Sequence, residues 1–443
     1  MLAHRASLAC LLALTACGDP ASGDDVETDA GSSSTADEPT STTAASSSSS
    51  TGSESTTEET STSTSTASDE TGSTTPEETC DGFVPGASFE IAADVSTTRI
   101  HPHAAGDATG AWFSFVHPEP AGSLFDVSVM HLRCADDIDV PPQLANTEPG
   151  NDIDASVAVF DDRVLVVWNT DDGQGGDSNL QIHARIYDDT GTPVAPSQLR
   201  VTTSVEGTPI TGNHTFGVVT ATPGGFAVAG LRAHPDSPAF VAFAQAIDSD
   251  GALSGEAFGA PVEGGVSHLL ASSSDGWLAY GRSDADTDQV FVVHPDVEAA
   301  AAFDGVTAGG GQVLARSEGA PIVAGTIGEG NAIDVGLSVG TGPALLLGEP
   351  GAIEHSPTVA ASPDGALAVV YHRNLGGLNN AVIFQRLRLE GETLMPDGEA
   401  VELDTMSPPY PPSITWTPGG WLVTWSRGQS PDFATWGQVL APR

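Results

Sequence analysis

The chain has 443 residues, and its 59 acidic and 14 basic residues give it a formal net charge of −45. So acidic a protein repels nucleic acid and anionic lipid headgroups, which argues against DNA or RNA as a partner. The 50 glycines and 31 prolines, without a helical periodicity of apolar residues, favour many short strands and turns over helices.

The N-terminal stretch MLAHRASLACLLALTAC predicts export. Arg5 precedes an apolar run, residues 6–13, that is too short to span a bilayer as a helix. The run ends in LTAC, which resembles the lipobox of bacterial lipoproteins. The resemblance implies that residues 1–16 are a signal peptide and that Cys17 becomes the lipidated first residue. Because Gly18 follows instead of Asp, it also implies anchoring to the bacterial outer membrane, on its periplasmic or its cell-surface side. An ordinary signal peptide is the alternative.

Residues 17–79 run from the lipidated cysteine through a linker rich in Ser, Thr, Ala and acidic residues. A segment with almost no large apolar side chain cannot offset the entropy cost of folding. We therefore expect a disordered stalk with a root-mean-square reach of roughly 45 Å. Its hydroxyl groups are candidate acceptors for O-linked sugars.

A repeated unit predicts one all-β domain over residues 80–443. The stretches SPDGALAVVYHR (362–373) and TPGGWLVTWSR (417–427) both place a tight turn before an apolar strand. A third strand and a weaker fourth strand follow in each unit. Four antiparallel strands per unit, at a period of roughly 40–60 residues, are typical of a single β-propeller. We expect seven blades, whose innermost strands lie near His103, Ser156, Val218, Leu269, Val313, Thr358 and Ser413. Six or eight blades and a pair of β-sandwiches are the alternatives.

The two ends of the domain are predicted to complete one blade. The last unit, residues 412–440, has three strands, and the N-terminal strand SFEIAADV (88–95) supplies the fourth. Closure of this kind removes exposed sheet edges. Cys80 and Cys134 are the two cysteines outside the leader, so in an exported protein they are predicted to form a disulfide. Two free thiols are the alternative.

Polar residues at the starts of the innermost strands form the first candidate site. In a propeller these starts surround the mouth of the central channel, where ligands usually bind. The residues are His101, His103, Asp152, Asp154, His214, His268, Glu354 and His355. Converging imidazoles and carboxylates would bind a metal or act as acid and base. A polar rim that caps the strand ends is the alternative.

Four cations share one position at the ends of second strands, namely Arg232, Arg282, Arg373 and Arg427. Guanidinium groups there suggest recognition of a carboxylate or an acidic sugar, but we favour pairing with neighbouring acids. The sequence SDADTDQ places Asp284, Asp286 and Asp288 at alternate positions, which resembles the start of a calcium loop. Gln289 replaces the glycine that the loop's turn requires. Ca²⁺ is the one cofactor that the sequence suggests.

The sequence predicts a monomeric, lipid-anchored propeller of the envelope or cell surface that binds a protein or glycan ligand. The membrane is contacted through the lipid alone. The chain resembles propeller-bearing bacterial surface lipoproteins with Ser/Thr stalks, a resemblance that is architectural and implies no activity. One alternative is an extracellular glycan hydrolase or lyase that uses carboxylates at the channel mouth. Another is an envelope assembly scaffold. An enzyme is the less favoured interpretation, and no catalytic residue is assigned.

Overall fold

The chain divides into two units, Met1–Ser73 and Thr74–Arg443, and every residue described below belongs to the second unit. The predicted signal peptide, Cys17, the linker and Cys80 lie outside the described residues. The computed structural model describes residues 82–92, 99–119, 124–148, 150–171, 180–195, 197–201, 204–205, 208–209, 214–234, 237–259, 266–272, 278–283, 288–294, 297–304, 312–314, 316, 319–329, 332–376, 379–408, 410–429 and 432–442.

All regular elements within these ranges are β-strands, as the turn-rich sequence predicts. The first half of the domain contains β1 (Phe89–Ile91), β2 (Ile100–Gly106), β3 (Ala111–Pro118), β4 (Phe125–Cys134), β5 (Asp137–Leu144), β6 (Asn151–Phe160), β7 (Arg163–Asp171), β8 (Leu180–Asp188), β9 (Leu199–Arg200), β10 (Ser204–Val205), β11 (Thr208–Pro209), β12 (His214–Thr222), β13 (Gly225–His234), β14 (Ser237–Asp248) and β15 (Leu253–Gly259). The second half contains β16 (Val266–Ser272), β17 (Leu278–Ser283), β18 (Asp288–His294), β19 (Val297–Asp304), β20 (Gln312–Leu314), β21 (Ile322–Glu329), β22 (Ala332–Val339), β23 (Leu345–Leu347), β24 (Glu354–Ala361), β25 (Leu367–Asn374), β26 (Asn380–Glu390), β27 (Thr393–Pro396), β28 (Val401–Ser407), β29 (Ser413–Thr417), β30 (Gly420–Gln429) and β31 (Asp432–Leu440). No helix in the described part has the length and hydrophobicity that a membrane crossing requires.

Consecutive strands pair antiparallel in meanders, which confirms the predicted repeat. Four-stranded sheets are formed by β2–β5, by β6–β9 and by β20–β23, and β24–β28 form a five-stranded sheet. The first strands of successive meanders contact each other in the order β2, β6, β12, β16, β20, β24 and β29, and β29 returns to β2. A closed ring of first strands, with later strands outside it, is the arrangement of a β-propeller.

The prediction of seven separate blades is wrong, because the described strands form six sheets. The meanders β12–β15 and β16–β19 belong to one ten-stranded sheet. A single antiparallel bridge between Phe240 of β14 and Val266 of β16 joins them. This bridge between the third strand of one meander and the first strand of the next thus merges what the sequence pattern marks as separate units.

The ends of the domain complete one sheet, as predicted. Strand β1 pairs antiparallel with β31, with Phe89 opposite Gly437 and Ile91 opposite Thr435. The backbone of Phe83 also packs against the turn between β29 and β30. Only a glycine at position 419 allows this approach, since a β-carbon there would overlap the carbonyl group of Phe83.

Apolar second strands fill the space between sheets. Trp112, Trp168, Trp421 and Trp425 are at most 1% exposed and form part of the core. They lie on β3, β7 and β30, each the second strand of its meander. These buried strands hold the first strands, and therefore the channel mouth, in fixed positions.

Candidate functional site

The first strands β2, β6 and β24 carry the same irregularity where they begin. In each, the pairing with the following strand shifts, which marks a β-bulge. One residue of each bulge has a left-handed backbone: His101 at φ 51°, Asp154 at φ 55° and Ser356 at φ 55°. Non-glycine residues in this region carry backbone strain, and such residues concentrate at functional sites. The bulges therefore mark the mouth of the propeller as a candidate functional site.

Two of these residues meet there. His101 Nδ1 lies 3.5 Å from Asp154 Oδ1, and the ring centroids of His101 and Tyr410 are 4.5 Å apart. Asn169 donates a 2.9 Å hydrogen bond from Nδ2 to Asp154 Oδ2 and accepts one of 3.2 Å from the backbone N–H of Gly217. We call Tyr410, His101, Asp154 and Asn169 the mouth cluster. Its members come from four neighbouring segments of the ring.

Burial sets the charge of the mouth cluster. It lowers the pKa of the His101 imidazole, although the Asp154 carboxylate opposes this effect. It raises the pKa of the Tyr410 phenol, and Asp154 adds to the rise. At neutral pH the cluster therefore contains an uncharged imidazole and a protonated phenol beside a carboxyl group that is 26% exposed.

Asp152, also on β6, is a buried acid at the same end of the strand. It is 1% exposed, and desolvation, followed by the nearby Asp126 and Glu119, raises its pKa to about 7. Thr170 and Trp168 lie close enough to oppose the rise. Neither carboxyl oxygen has a hydrogen bond of normal geometry. Burial is the main cause of the rise, so a substantial fraction of Asp152 keeps its proton at pH 7.

Further polar groups surround Asp152. Asp126, the second residue of β4, accepts a 2.8 Å hydrogen bond from Asn146 Nδ2 and pairs across the strands with His117. Burial lowers the pKa of His117, whose Nε2 lies 2.8 Å from the hydroxyl of Ser128. The region around Asp152 is therefore rich in carboxyl groups, and Arg99 is the cation near it, since its charge contributes to the lowered pKa of His117.

His103 has a structural role that supports the polar-rim alternative. Its Nδ1 accepts a hydrogen bond of 3.4 Å from the backbone N–H of Val157 on the next first strand. Ser156 and Ser413, at the equivalent place on β6 and β29, accept from Val219 and Ala104 at 3.3 and 3.4 Å. These bonds join first strands around the ring. Burial lowers the pKa of His103 to about 4, so the imidazole is neutral and able to accept.

Glu354 and His355 make their contacts within the sheet of β24. Glu354 is fully buried, and its Oε1 accepts from Arg373 Nε at 2.9 Å and from the backbone of Glu349 at 3.1 Å. Burial still raises the pKa of Glu354. His355 Nε2 lies 3.2 Å from Asn380 Oδ1, and burial lowers its pKa. Both residues form hydrogen bonds with other residues, Glu354 with Arg373 and His355 with Asn380, and they do not belong to the mouth cluster.

The predicted rim arginines are paired where their side chains are described. Arg373 contacts Glu349 and Glu354, and Arg427 contacts Asp404. Several predicted residues have side chains outside the described set, namely Arg232, Arg282, His214, His268, Asp284, Asp286 and Asp288. Across the side chains that are described, no three His, Cys, Asp or Glu groups come together to hold a metal ion. The predicted Ca²⁺ site thus stays a prediction.

No family model matches the chain, and no curated protein matches it. Solved structures with a similar fold include a protein of unknown function from Dyadobacter fermentans DSM 18053, at 11% identity and a TM-score of 0.45, with 67% of this chain and 97% of that protein covered. A Trypanosoma rangeli sialidase is 10% identical with a TM-score of 0.43, and the match covers 80% of this chain and 58% of the sialidase. A thermostable family-43 glycoside hydrolase is 13% identical with a TM-score of 0.37, over 74% of this chain and 97% of the hydrolase. Similarities this weak assign no activity.

Sequence reasoning missed three residues of this region. Asp126, Asn169 and Tyr410 lie far apart in the chain and share no motif with His101 or Asp152. One signal was available for Asp126, which is the second residue of a third strand. Tyr410 stands in the proline-rich stretch SPPYPPS before β29, where an aromatic residue among prolines marks a position outside the blade core.

Proposed function

We propose that the mouth of this propeller binds and hydrolyses an extracellular glycan. The observation that carries the proposal is Asp152, a buried carboxyl group whose pKa is raised to about 7. Cleavage of a glycosidic bond requires an acid that still holds a proton at neutral pH and gives it to the leaving oxygen. A desolvated carboxyl group among other acids meets the first of these requirements, because it keeps its proton at neutral pH.

Asp154 supplies the second carboxyl group. It lies two residues after Asp152 on β6, so their Cα atoms are separated by at most about 7 Å. Glycosidases use paired carboxyl groups within about 10 Å of each other, one as acid and one as base or nucleophile. Asp154 is partly exposed, which allows it to reach a sugar or a water molecule. His101 and Asn169 position it.

The test compares the full-length chain with its Asp152→Asn variant on a panel of polysaccharides, with release of reducing ends as the readout. We expect the wild type to cleave at least one glycan, with a rate that falls above pH 7 as Asp152 loses its proton. Asp152→Asn should lower the rate by roughly 10²–10⁴-fold. The matched control is Asp161→Asn. Asp161 also has a left-handed backbone, at φ 51°, but it lies in the turn at the opposite end of β6.

A binding module without catalysis is the second candidate, and the pair His101–Tyr410 favours it. Two aromatic rings 4.5 Å apart at the mouth offer an apolar face on which a sugar ring can pack. A wild-type chain that binds a glycan but releases no reducing ends would replace the hydrolase proposal with this one. In that case Tyr410→Ala should weaken binding while Asp152→Asn leaves it unchanged.

The proposal also places the protein outside the cell. The lipobox-like LTAC and the long Ser/Thr segment support a lipid-anchored head on a stalk. Labelling with a radioactive fatty acid tests this, since the wild type should incorporate the label and Cys17→Ser should not. Equal labelling of both chains would contradict the assignment of Cys17.

A further inference from the structure

The chain has few positive charges to offer a ligand at the mouth. It contains no lysine, so all 14 cations are arginines. Five arginines stand at the mouth end of first or second strands: Arg99, Arg232, Arg282, Arg373 and Arg427. Any recognition of an acidic sugar by a cation at this end would fall to these side chains.

Arg373 and Arg427 are already committed to carboxylates of the protein. Arg373 Nη1 lies 2.6 Å from Glu349 Oε1, and its Nε lies 2.9 Å from the buried Glu354. Arg427 Nε lies 3.2 Å from Asp404 Oδ2. An acidic ligand that recruited Arg373 would leave the fully buried Glu354 without its cation, which is strongly unfavourable. Recruitment of Arg427 would take the cation from Asp404, which is 6% exposed and would keep its hydrogen bond from Trp425 Nε1.

Of the other three arginines, Arg99 is the one whose side chain the structure describes. Arg99 is 1% exposed and forms an ion pair with Glu90. Arg427 also stacks on Trp436, with its guanidinium carbon 4.7 Å from the ring centroid. The side chains of Arg232 and Arg282 lie outside the described residues.

The acids of the mouth are not neutralised in the same way. Asp154 faces His101, whose imidazole is uncharged at neutral pH because burial lowers its pKa. Asp126 accepts its 2.8 Å hydrogen bond from the neutral amide of Asn146. With a formal net charge of −45 over the whole chain, the surrounding field adds to the negative potential at the mouth.

We infer that the glycan taken by this site carries free amino groups, that uncharged glycans bind less well, and that glycans bearing carboxylates are excluded. The inference rests on the proposed function and names its substrate class. Positive charge on the sugar is attracted by the partly exposed Asp154 without any need to break the pairs that hold Arg373 and Arg427.

The test measures binding of three fluorescent oligosaccharides of equal length to the full-length chain: oligoglucosamine, its N-acetylated form and an oligoglucuronate. At 20 mM NaCl we expect the amino form to bind about 10-fold or more tightly than the N-acetylated form, since attraction to a charged cleft of this kind is worth at least that much. The difference should shrink at 500 mM NaCl, where charges are screened within about 5 Å. The oligoglucuronate should not bind.

A variant that removes one acidic partner from each arginine tests the physical cause. Glu349→Gln with Asp404→Asn keeps the shape of both side chains and leaves Arg373 Nε bonded to Glu354. It should give the oligoglucuronate measurable binding through Arg427 and through Nη1 of Arg373, which faces Glu349 in the wild type. Tightest binding of oligoglucuronate by the wild type would overturn the inference and would point to Arg232 and Arg282. Equal binding of the amino and N-acetylated forms at low salt would overturn it as well. Failure to bind or cleave any of a wider set of glycans would instead overturn the proposed function itself.

Discussion

Nδ1 of His101 lies 3.5 Å from Oδ1 of Asp154, although the two residues belong to different sheets. Both occupy the left-handed residue of a β-bulge at the start of a first strand. The same irregularity, repeated in neighbouring sheets, therefore brings a base and an acid together at the channel mouth. The contact depends on backbone geometry as much as on the identity of the side chains.

Replacement of Asp154 by Asn should remove the carboxylate charge of this residue and leave its left-handed backbone in place. Asn tolerates a left-handed backbone about as well as Asp does, so Asp154→Asn should change the free energy of unfolding by less than about 1 kcal/mol. Glycan hydrolysis should fall by roughly 10²–10⁴-fold, because the second carboxylate is lost. Rates of reducing-end release and urea unfolding of the same preparation provide the two measurements.

Asp154→Ala is the companion variant. It lacks the local hydrogen bonding that makes the left-handed backbone acceptable, so it should lose roughly 1 kcal/mol or more of stability in addition to its activity. Full activity in Asp154→Asn would remove Asp154 from the chemistry. Equal stability of the two variants would show that the strain at this bulge is negligible.

Strand order and closure were predictable because turns and apolar runs are local signals. Each of TPGG and SPDG fixes a hairpin, and the apolar strand that follows must be buried. The number of separate sheets was not predictable in this way. Whether Phe240 bridges to Val266 depends on how two meanders sit side by side, and no local pattern records that.

The candidate site was predicted only in part, for a related reason. The sequence pointed to His101, Asp152 and Asp154, since polar residues at the starts of apolar strands stand out. It could not show that the pKa of Asp152 is raised, because that rise comes from desolvation and from Asp126 and Glu119 on other segments. Nor could it distinguish His103, which joins strands, from His101, which faces an acid.

Stability in mild acid should depend on His103. The pKa of His103 is about 4 in the folded chain and about 6.5 in an unfolded one, so the unfolded state binds more protons between these values. The stability that neutral His103 contributes is therefore complete above pH 6.5 and is lost as the pH falls toward 4. The shift corresponds to about 3 kcal/mol.

His103→Asn provides the measurement for this effect. The Asn side-chain oxygen can accept from the N–H of Val157 in place of the imidazole, and it does not titrate. In urea unfolding at pH 4.5, 5.5 and 7.5, the free energy of unfolding should fall less for the variant than for the wild type as the pH decreases. Other titrating groups, Asp152 among them, are common to both chains and cancel in the difference. Parallel pH profiles would contradict a neutral His103 with a lowered pKa.

Closure of the propeller should depend on Ile91. This residue of β1 is fully buried and packs in the same apolar cluster as Phe83, Phe113 and Leu422. Ile91→Ala should cost about 2–5 kcal/mol, as expected when a buried aliphatic side chain is truncated. Val84→Ala is the matched control on the same segment, since Val84 is 71% exposed and its truncation should cost less than about 0.5 kcal/mol. Equal effects would mean that β1 does not close the domain.

A disulfide between Cys80 and Cys134 would reinforce that closure. The ring centroid of Phe83 lies 6.5 Å from that of Phe113, and Phe83 shares an apolar cluster with Leu132, two residues before Cys134. Because three residues span at most about 10 Å, a chain leaving Phe83 toward Cys80 can reach Cys134. Linking residues so far apart in sequence should contribute about 4 kcal/mol.

Peptide mapping of the unreduced chain by mass spectrometry should therefore find the two cysteines in one linked peptide that separates after reduction. Cys80→Ser and Cys134→Ser should lower the free energy of unfolding equally, and the double variant should lower it no further, because either change removes the same bond. Ready alkylation of both thiols in the native, unreduced protein would contradict the pairing. In that case the N-terminal segment would be held by the pairing of β1 with β31 and by the packing of Ile91 and Phe83, and Ile91→Ala would loosen it.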